Sequence, residues 1–213
     1  MLHTMQKFSF LIVEDETVLR EGLRALLERE SFVKVIYEAF DRPSFEEHLA
    51  KAIDFVILDY RLVTTNGLEL LSMLKRLDRS PKVIILTGLE GSELIMNLLQ
   101  AGVHGIVYKP DGFRELVKTI QKTVVSGSYF SERILEVIKS NAHRWDTVPP
   151  VVLSFSEQEL LKAIANGLTT KEIAPVLKMT ESTAETYRIR LIKKVGVHNT
   201  AALMAYAFRN GIL

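Results

Sequence analysis

The stretch Asp54-Phe-Val-Ile-Leu-Asp59, continued by Tyr60-Arg61-Leu62, decides the fold of this 213-residue chain. Four apolar residues in a row predict a short strand that is buried on both faces of a parallel sheet. Asp59 then lies at the C-terminal end of that strand, where doubly wound sheets place their ligands. An aspartate at this point can also simply cap the next turn, so its function depends on the rest of the chain.

Strand and helix patterns alternate on both sides of this stretch. Period-2 and fully apolar runs predict strands at 8–13, 33–39, 55–58, 82–87 and 105–108. Amphipathic patterns predict helices at 16–30, 44–52, 68–77, 90–101 and 113–125. The expected fold is therefore α/β, with a doubly wound five-stranded parallel sheet.

The composition limits the class of protein. With 47% hydrophobic and 25% charged residues, the chain is expected to be a soluble globular protein of one medium and one small domain. No apolar run approaches the roughly 18 residues that span a bilayer. The chain has no cysteine, which excludes disulfides and thiolate metal sites and fits a cytoplasmic location.

The net charge of +1 conceals a mild asymmetry along the chain. From residue 151 onward there are eight Lys or Arg and five Asp or Glu, a balance of +3, whereas residues 1–150 carry −2. This excess permits a nucleic-acid partner for the C-terminal part but does not require one.

Chemical groups stand at the C-terminal ends of four of the predicted strands: Glu14 and Asp15, then Asp59, Thr87 and Lys109. The C-terminal ends of parallel strands share one edge of a sheet, so these side chains are expected to converge. Three carboxylates need a cation, and oxygen ligands favour Mg²⁺. The set suits capture of a phosphoryl group on Asp59, although each residue alone can equally be a helix-capping or solvated group.

Residues 8 to about 126 resemble a response-regulator receiver domain, which has a flavodoxin-like fold. The motifs that carry the resemblance are Val13-Glu14-Asp15-Glu16, Leu58-Asp59-Tyr60-Arg61, Asn66-Gly67, Thr87-Gly88 and Lys109-Pro110. The resemblance implies that Asp59 accepts phosphate from a sensor histidine kinase and that Thr87 and Lys109 contact the phosphoryl group. It also implies Mg²⁺ ligation by Glu14, Asp15, Asp59 and the backbone carbonyl of Arg61, and a cis Lys109-Pro110 bond.

Such a receiver assists only its own phosphorylation and dephosphorylation, so the chain is not expected to be an enzyme. A phosphatase with Asp59 as nucleophile is a weak alternative, because the second acid-base aspartate it needs two residues later is Arg61. One position departs from the receiver pattern: Ile106 stands where the family usually has an aromatic switch residue. Tyr108 has the same strand parity and either supplies the ring or is a packed core residue.

A linker and a helical segment follow the receiver. Residues 128–141 predict a short amphipathic helix, and residues 142–152, with Pro149-Pro150, predict an exposed connector. Ser156 with Glu159, and Thr169 with Glu172, match capping boxes at the starts of two helices. Thr180 is a predicted N-cap of a longer helix that ends at Gly196, after a brief turn at 178–180. A short helix, a turn and a longer helix make a helix-turn-helix.

The longer helix has two distinct faces. Ala184, Tyr187, Leu191 and Val195 share the face expected to be core. The predicted DNA-binding residues lie on the opposite face and its flanks: Ser182, Glu185, Thr186, Arg188, Ile189, Arg190, Lys193 and Lys194. The last helix is apolar nearly all round, which predicts dimerisation through Met204 and Phe208, unless the receiver or linker covers them.

Residues 153–213 resemble the LuxR-type output domain of the NarL/FixJ subfamily. The match includes Leu153-Ser154, Gly167-Leu168-Thr169, Lys171-Glu172-Ile173-Ala174 and Lys194-Val195-Gly196-Val197. Four positions depart from the pattern of that subfamily: Ser156, Pro175, Glu185 and Ile189. Glu185 and Ile189 both replace frequent lysines.

Together these patterns predict a receiver domain at 1–126, a linker helix and connector at 127–152 and a LuxR-type domain at 153–213. The resemblance implies a two-component response regulator that binds double-stranded DNA as a homodimer and controls transcription when phosphorylated. The alternative is a protein-interaction module whose helix-turn-helix no longer reads DNA.

Overall fold

A computed structural model describes residues 6–63, 65–88, 90–145 and 151–213. The described residues form two compact units. The first contains the chain up to residue 88 and Gly105–Lys118; the second contains residues 90–104 and Thr119–Leu213.

The first unit is built on a parallel sheet of five strands in the order β2-β1-β3-β4-β5. The strands are β1 (Phe8–Val13), β2 (Val33–Ala39), β3 (Phe55–Asp59), β4 (Lys82–Thr87) and β5 (Gly105–Tyr108). The helices that follow them along the chain are α1 (Thr17–Leu27), α2 (Arg42–Glu46), α3 (Gly67–Leu74), α4 (Ser92–Gln100) and α5 (Gly112–Ser126). The predicted α/β class, strand number and parallel sheet are confirmed.

Strand β3 is the centre of the sheet, because it pairs with β1 on one side and with β4 on the other. All five of its residues are buried. The ring of Phe55 stacks on Phe10 of β1 at a centroid distance of 5.3 Å. Burying each large apolar side chain contributes ~1.5–3 kcal/mol, so the run Phe55–Leu58 fixes the centre of the sheet.

Helix α2 is shorter than predicted. It covers Arg42–Glu46 instead of 44–52, and its N-cap is Asp41, which forms a capping box with Ser44. Beyond Glu46 the backbone continues in tighter turns, in which the amides of His48 and Leu49 donate to the carbonyl oxygens of Phe45 and Glu46, three residues back. The His48 ring contacts β2, with its Nε2 atom 3.0 Å from the carbonyl oxygen of Glu38.

The second unit is helical. Besides α4 and the part of α5 from Thr119, it contains α6 (Glu132–Ser140), α7 (Phe155–Ala165), α8 (Thr170–Val176), α9 (Glu181–Val195) and α10 (Thr200–Arg209). Helix α10 packs against α4, α6, α7 and α9. Of the predicted exposed connector at 142–152, residues 146–150, with Pro149-Pro150, lie outside the described residues. In the described part the prediction of exposure is wrong for Ala142 and Trp145, which are buried, and Ala142–Arg144 form a 3-10 turn.

Two helix starts agree with the predicted caps and one does not. Thr169 caps α8 in a box with Glu172 and Thr180 caps α9, as predicted, and the N-cap of α10 is Asn199. Helix α7, however, begins two residues earlier, with the capping box formed by Ser154 and Glu157. Both serine–glutamate pairs satisfy the pattern; Glu157 is additionally fixed by Lys194 of α9 at 2.6 Å, a tertiary contact that local sequence does not encode.

The core stripe of α9 also differs by one residue from the prediction. Ala184, Arg188, Leu191 and Val195 are buried, whereas Tyr187 is 37% exposed. The buried positions follow the i, i+4, i+7, i+11 spacing of an amphipathic helix. The arginine therefore occupies a core position and the tyrosine lies at its edge.

The structure does not leave Met204 free for a dimer contact and fits the alternative in which the receiver or linker covers it. Met204 is 1% exposed, the other residues of 201–207 are also buried, and Phe208 is partly exposed. The packing of α10 against α4 and α6 supplies the cover. Within the described residues, no helix is long and apolar enough to cross a membrane.

Candidate functional site

An acidic pocket opens at the C-terminal edge of the sheet. Glu14 and Asp15 directly follow β1, and Asp59 is the last residue of β3. One carboxylate oxygen of each lies within 4.8 Å of the others. Glu14 is 1% and Asp59 4% exposed, and the open pocket they line has a volume of about 570 Å³. The predicted convergence of the three carboxylates is therefore present in the structure.

The ammonium group of Lys109 lies between two of these carboxylates. Its Nζ atom is 2.9 Å from Asp59 Oδ2 and 3.0 Å from Glu14 Oε2. Lys109 is the first residue after β5, in a 3-10 turn that covers Lys109–Asp111. The expected cis bond between Lys109 and Pro110 is wrong, since no described peptide bond is cis. The trans form is the ordinary one even before proline.

Main-chain N–H groups hold the other carboxylate oxygens. The amide of Arg61 donates to Asp59 Oδ1 at 3.1 Å, that of Glu16 to Glu14 Oε1 at 3.1 Å, and that of Val63 to Asp15 Oδ2 at 2.6 Å. Each carboxylate is thus oriented by the loop that follows a strand. The ligand role of the Arg61 carbonyl stays a prediction.

Gly67 explains why Asn66-Gly67 belongs to the site. Asn66 caps α3, and the amide of Gly67 donates to the Tyr60 carbonyl oxygen at 3.2 Å. A Cβ atom at residue 67 would lie 3.0 Å from that oxygen and 3.1 Å from the Tyr60 Cα. A larger residue would have to push the Tyr60 backbone back by a few tenths of an ångström, so glycine lets α3 start close against the backbone next to Asp59.

The electrostatics of the pocket follow from burial and from the three carboxylates. Burial raises the pKa of Glu14, reinforced by the charge of Asp59 and opposed by the hydrogen bond from Lys109. Burial alone would lower the pKa of Lys109, but its bonds to Asp59 and Glu14 outweigh burial and raise it. Three carboxylates and one ammonium give the pocket a net charge of −2. A divalent cation that prefers oxygen ligands would neutralise it.

Thr87 ends β4 next to this pocket. It is 1% exposed, and its register partner in β5 is Tyr108. Ile106 is 2% and Tyr108 4% exposed, so both are packed in the core, which agrees with the reading of Tyr108 as a packed residue. The predicted contact of Thr87 with a phosphoryl group stays a prediction.

The second candidate site is the surface of α9. A turn joins α8 to α9, with Lys178 in the left-handed region at φ 52°. Five of the predicted DNA-binding residues are exposed without a described ion pair: Ser182, Thr186, Ile189, Arg190 and Lys193. Ile189 is 45% exposed, so an apolar side chain lies among polar and basic ones.

The other three predicted DNA-binding residues are engaged within the protein. Lys194 is exposed but pairs with Glu157. Glu185 bonds Arg188 at 2.5 Å, and Arg188 is only 8% exposed. The structure does not support the prediction that Arg188 contacts DNA, because its guanidinium is turned to the interior.

Sequence reasoning missed Thr170 and Thr200 as partners of this pair. Thr170 donates to Glu185 Oε2 at 3.2 Å, and Arg188 donates to Thr200 Oγ1 at 3.4 Å. A local signal existed, because Glu and Arg three residues apart on a helix are neighbours. The two threonines have no such signal, since they come from other helices.

Comparison with known protein families identifies two domains in the chain. Residues 10–121 match the model of the response regulator receiver domain, and residues 151–207 match that of the bacterial regulatory proteins of the luxR family. The chain therefore belongs to the response regulators that join a receiver domain to a luxR-type regulatory domain.

Individual relatives share this organisation over almost their whole length. The chain is 30% identical over 203 residues to a putative transcriptional regulator of Pseudomonas aeruginosa, covering 95% of this chain and 98% of the relative. It is 30% identical over 197 residues to the nitrate/nitrite response regulator protein NarP of Escherichia coli, covering 92% of each.

A solved structure is similar as well. RcsB from Salmonella enterica serovar Typhimurium, bound to promoter P1flhDC in the presence of the phosphomimetic BeF3⁻, is 25% identical. The TM-score is 0.58, and the match covers 94% of this chain and 98% of RcsB.

Proposed function

We propose that this protein is a transcriptional regulator of a two-component system, which binds double-stranded DNA under the control of phosphorylation at Asp59. The phosphate donor is a sensor histidine kinase, and the protein acts in the cytoplasm. Outside its own phosphorylation and dephosphorylation it catalyses no reaction. The observation that carries the proposal is the convergence of Glu14, Asp15, Asp59 and Lys109 in a chain that also presents an exposed helix-turn-helix surface.

Asp59 is the phosphoacceptor in this proposal. Its carboxylate oxygen attacks the phosphorus of a phosphohistidine, the P–N bond breaks, and the electron pair leaves with the imidazole nitrogen, which takes a proton. The amide of Arg61, 3.1 Å from Asp59 Oδ1, keeps the carboxylate oriented while the other oxygen faces Lys109. The product is an aspartyl phosphate.

Glu14, Asp15 and Asp59 are the residues that would hold Mg²⁺. When bound, Mg²⁺ offsets the negative charge on the transferring phosphoryl oxygens. Lys109 pairs with the same oxygens, and the Thr87 hydroxyl donates a hydrogen bond to one of them. Glu14 and Thr87 are each 1% exposed, and electrostatic interactions of buried groups are stronger than those in water.

DNA binding is assigned to the exposed face of α9. Arg190 and Lys193 can meet phosphates, and Thr186 and Ile189 are suited to contact thymine methyl groups. RcsB is bound to a promoter in the presence of a phosphomimetic, which supports the proposal that a phosphorylated receiver and DNA binding go together in this chain. Homodimerisation through Met204 and Phe208 would require α10 to separate from α4 and α6, because Met204 is buried.

Intact-mass spectrometry after incubation with a small phosphodonor and Mg²⁺ tests the receiver half. The wild type should gain one phosphoryl group, Asp59→Asn should gain none, and the exposed control Asp78→Asn should behave as the wild type. A mobility shift on genomic DNA fragments at several salt concentrations tests the output half. An Asp59→Asn variant that is still phosphorylated contradicts the proposal.

A protein-interaction module is the second candidate. Glu185 and Arg188 pair with each other within the domain, and Ile189 is an exposed apolar residue on the outer face of α9. Few charged groups are therefore left on that face to bind DNA. Pro175 also lies within α8 and removes one helical hydrogen bond. If the phosphorylated wild type binds no DNA duplex in the mobility shift at low salt, the protein-interaction module is the better candidate.

A further inference from the structure

Both carboxylate oxygens of Glu185 are occupied inside the helix-turn-helix. Oε1 accepts from Arg188 Nη2 at 2.5 Å, and Oε2 accepts from the Thr170 hydroxyl at 3.2 Å. Thr170 is the first residue of α8 and is 3% exposed. Glu185 therefore links α8 to α9.

Arg188 depends on this carboxylate. The residue is 8% exposed, and its Nη1 donates to Thr200 Oγ1 of α10 at 3.4 Å. A buried guanidinium is stable only with a counter-charge and further hydrogen bonds. In the part of the chain that the structure describes, Glu185 is the carboxylate that forms an ion pair with it.

The backbone after α5 is built around the same guanidinium. Gly127 closes α5 in the left-handed region at φ +74°, and a Cβ atom there would lie 2.2 Å from Arg188 Nη2. Glycine at this position thus lets the chain pass directly over the guanidinium. The pair Glu185–Arg188 therefore joins α9 to α8 and to α10, and the guanidinium lies close to the residue that closes α5.

The positions on the helix separate this pair from the exposed face. At ~100° per residue, Arg188 lies ~40° and Glu185 ~100° from the buried Ala184. The exposed residues Ser182, Thr186, Ile189, Arg190 and Lys193 lie between ~140° and ~240° from it. Arg188 belongs to the core side, and Glu185 marks the border between the two faces.

We propose that Glu185 is a positioning residue that fastens α9 through Arg188, and that bases are read without it. The inference rests on the proposed DNA binding and specifies it: the reading surface consists of Ser182, Thr186, Ile189, Arg190 and Lys193. A base reader at residue 185 would change the preference at one base pair. A positioning residue changes the affinity for every duplex alike.

The experiment compares four full-length variants with the wild type after phosphorylation: Glu185→Ala, Arg188→Leu, the double variant and Glu181→Ala. Glu181 is exposed in the first turn of α9, so Glu181→Ala removes the same charge from the same helix without breaking an internal bond described here. Binding is titrated on a selected duplex and on its single-base-pair variants at several salt concentrations. Urea unfolding of the same proteins gives a double-mutant cycle for the pair.

Relative to Glu181→Ala, we expect Glu185→Ala to bind all duplexes at least ~5-fold more weakly, with the ranking of the duplexes unchanged. Arg188→Leu should restore binding in the double variant, because no unpaired guanidinium is then buried. In urea unfolding, the double variant should likewise be more stable than the sum of the two single substitutions predicts. This measurement tests the pair even if Glu185→Ala alone is too unstable for a binding titration.

Two results overturn the inference. One is a loss of discrimination of ~5-fold or more at a single base pair in Glu185→Ala that Arg188→Leu does not restore, as expected of a direct base contact. The other is additive behaviour of the two substitutions in the unfolding cycle. A wild type that binds no duplex overturns the proposed function itself, and with it the reading surface.

Discussion

Lys109 donates from Nζ to Asp59 Oδ2 across 2.9 Å, and so connects the first residue after β5 to the last residue of β3. The same ammonium lies 3.0 Å from Glu14 Oε2, which makes it the counter-charge of a nearly buried acidic pair. The charge balance of the pocket therefore depends on one side chain until a cation binds.

Replacing Lys109 by glutamine should lower the free energy of unfolding at neutral pH in EDTA by up to ~3 kcal/mol, because two buried carboxylates lose their counter-charge. Mg²⁺ should recover more stability in this variant than in the wild type, since the pocket is then more negative. Urea unfolding with EDTA and with Mg²⁺ measures both effects. Lys118→Gln, which breaks an exposed pair with Glu115, should change stability by less than ~1 kcal/mol. Equal stability of wild type and Lys109→Gln in EDTA would count against this role.

Gly67→Ala should destabilise the protein by about 1–3 kcal/mol and slow phosphorylation, because the new Cβ would lie 3.0 Å from the Tyr60 carbonyl oxygen. Gly22 offers a matched control within α1, since a Cβ there meets nothing within 4 Å. Gly22→Ala should therefore stabilise by up to ~1 kcal/mol through helix propensity. Thermal unfolding and the time course of the intact-mass adduct give the two readouts. If both alanines behave alike, the close contact at residue 67 is not what requires glycine.

Glu172 predicts a dependence of stability on pH. The hydrogen bond from Lys122, helped by the bonds with Thr169, lowers its pKa to about 2 from the usual 4.5. A carboxyl whose pKa falls on folding adds stability above its unfolded pKa and loses it as the pH drops through the folded value. Because the side chain is 46% exposed, the contribution should stay at or below ~1 kcal/mol.

The measurement for Glu172 is urea unfolding of the wild type and Glu172→Gln from pH 7 to pH 2. The difference between them should be constant above pH 4.5 and should shrink towards pH 2. The exposed Glu136 of α6 serves as control, and Glu136→Gln should show no such window. A difference that is independent of pH would mean that the carboxylate charge is not involved.

Self-association should appear when α10 loses its cover. In the full chain α10 packs against α4 and α6, and Met204 is 1% exposed. A fragment of residues 151–213 lacks both helices and exposes that face of α10 to solvent. The fragment should therefore dimerise at high concentration. The unphosphorylated full chain should not dimerise through α10. Sedimentation measures the state of each, with circular dichroism to confirm that the fragment is helical. Met204→Gln should return the fragment to a monomer, and a fragment that is monomeric throughout refutes the assignment.

The sequence by itself determined the sheet and the acidic pocket. The apolar run before Asp59 leaves one stable arrangement, a central buried strand, and parallel strands bring Glu14, Asp15, Asp59 and Lys109 to one edge. Caps such as Thr169 and Thr180 were equally predictable, because their partners lie three residues away on the same helix.

Tertiary structure alone decided which of several locally equivalent options was realised. Ser154 and not Ser156 caps α7, where Lys194 reaches Glu157, and Arg188 and not Tyr187 is buried in α9. Met204 is buried because α10 meets helices that lie far away in the chain. In each case the local pattern leaves two choices of similar energy, and contacts between residues distant in sequence supply the few kcal/mol that separate them.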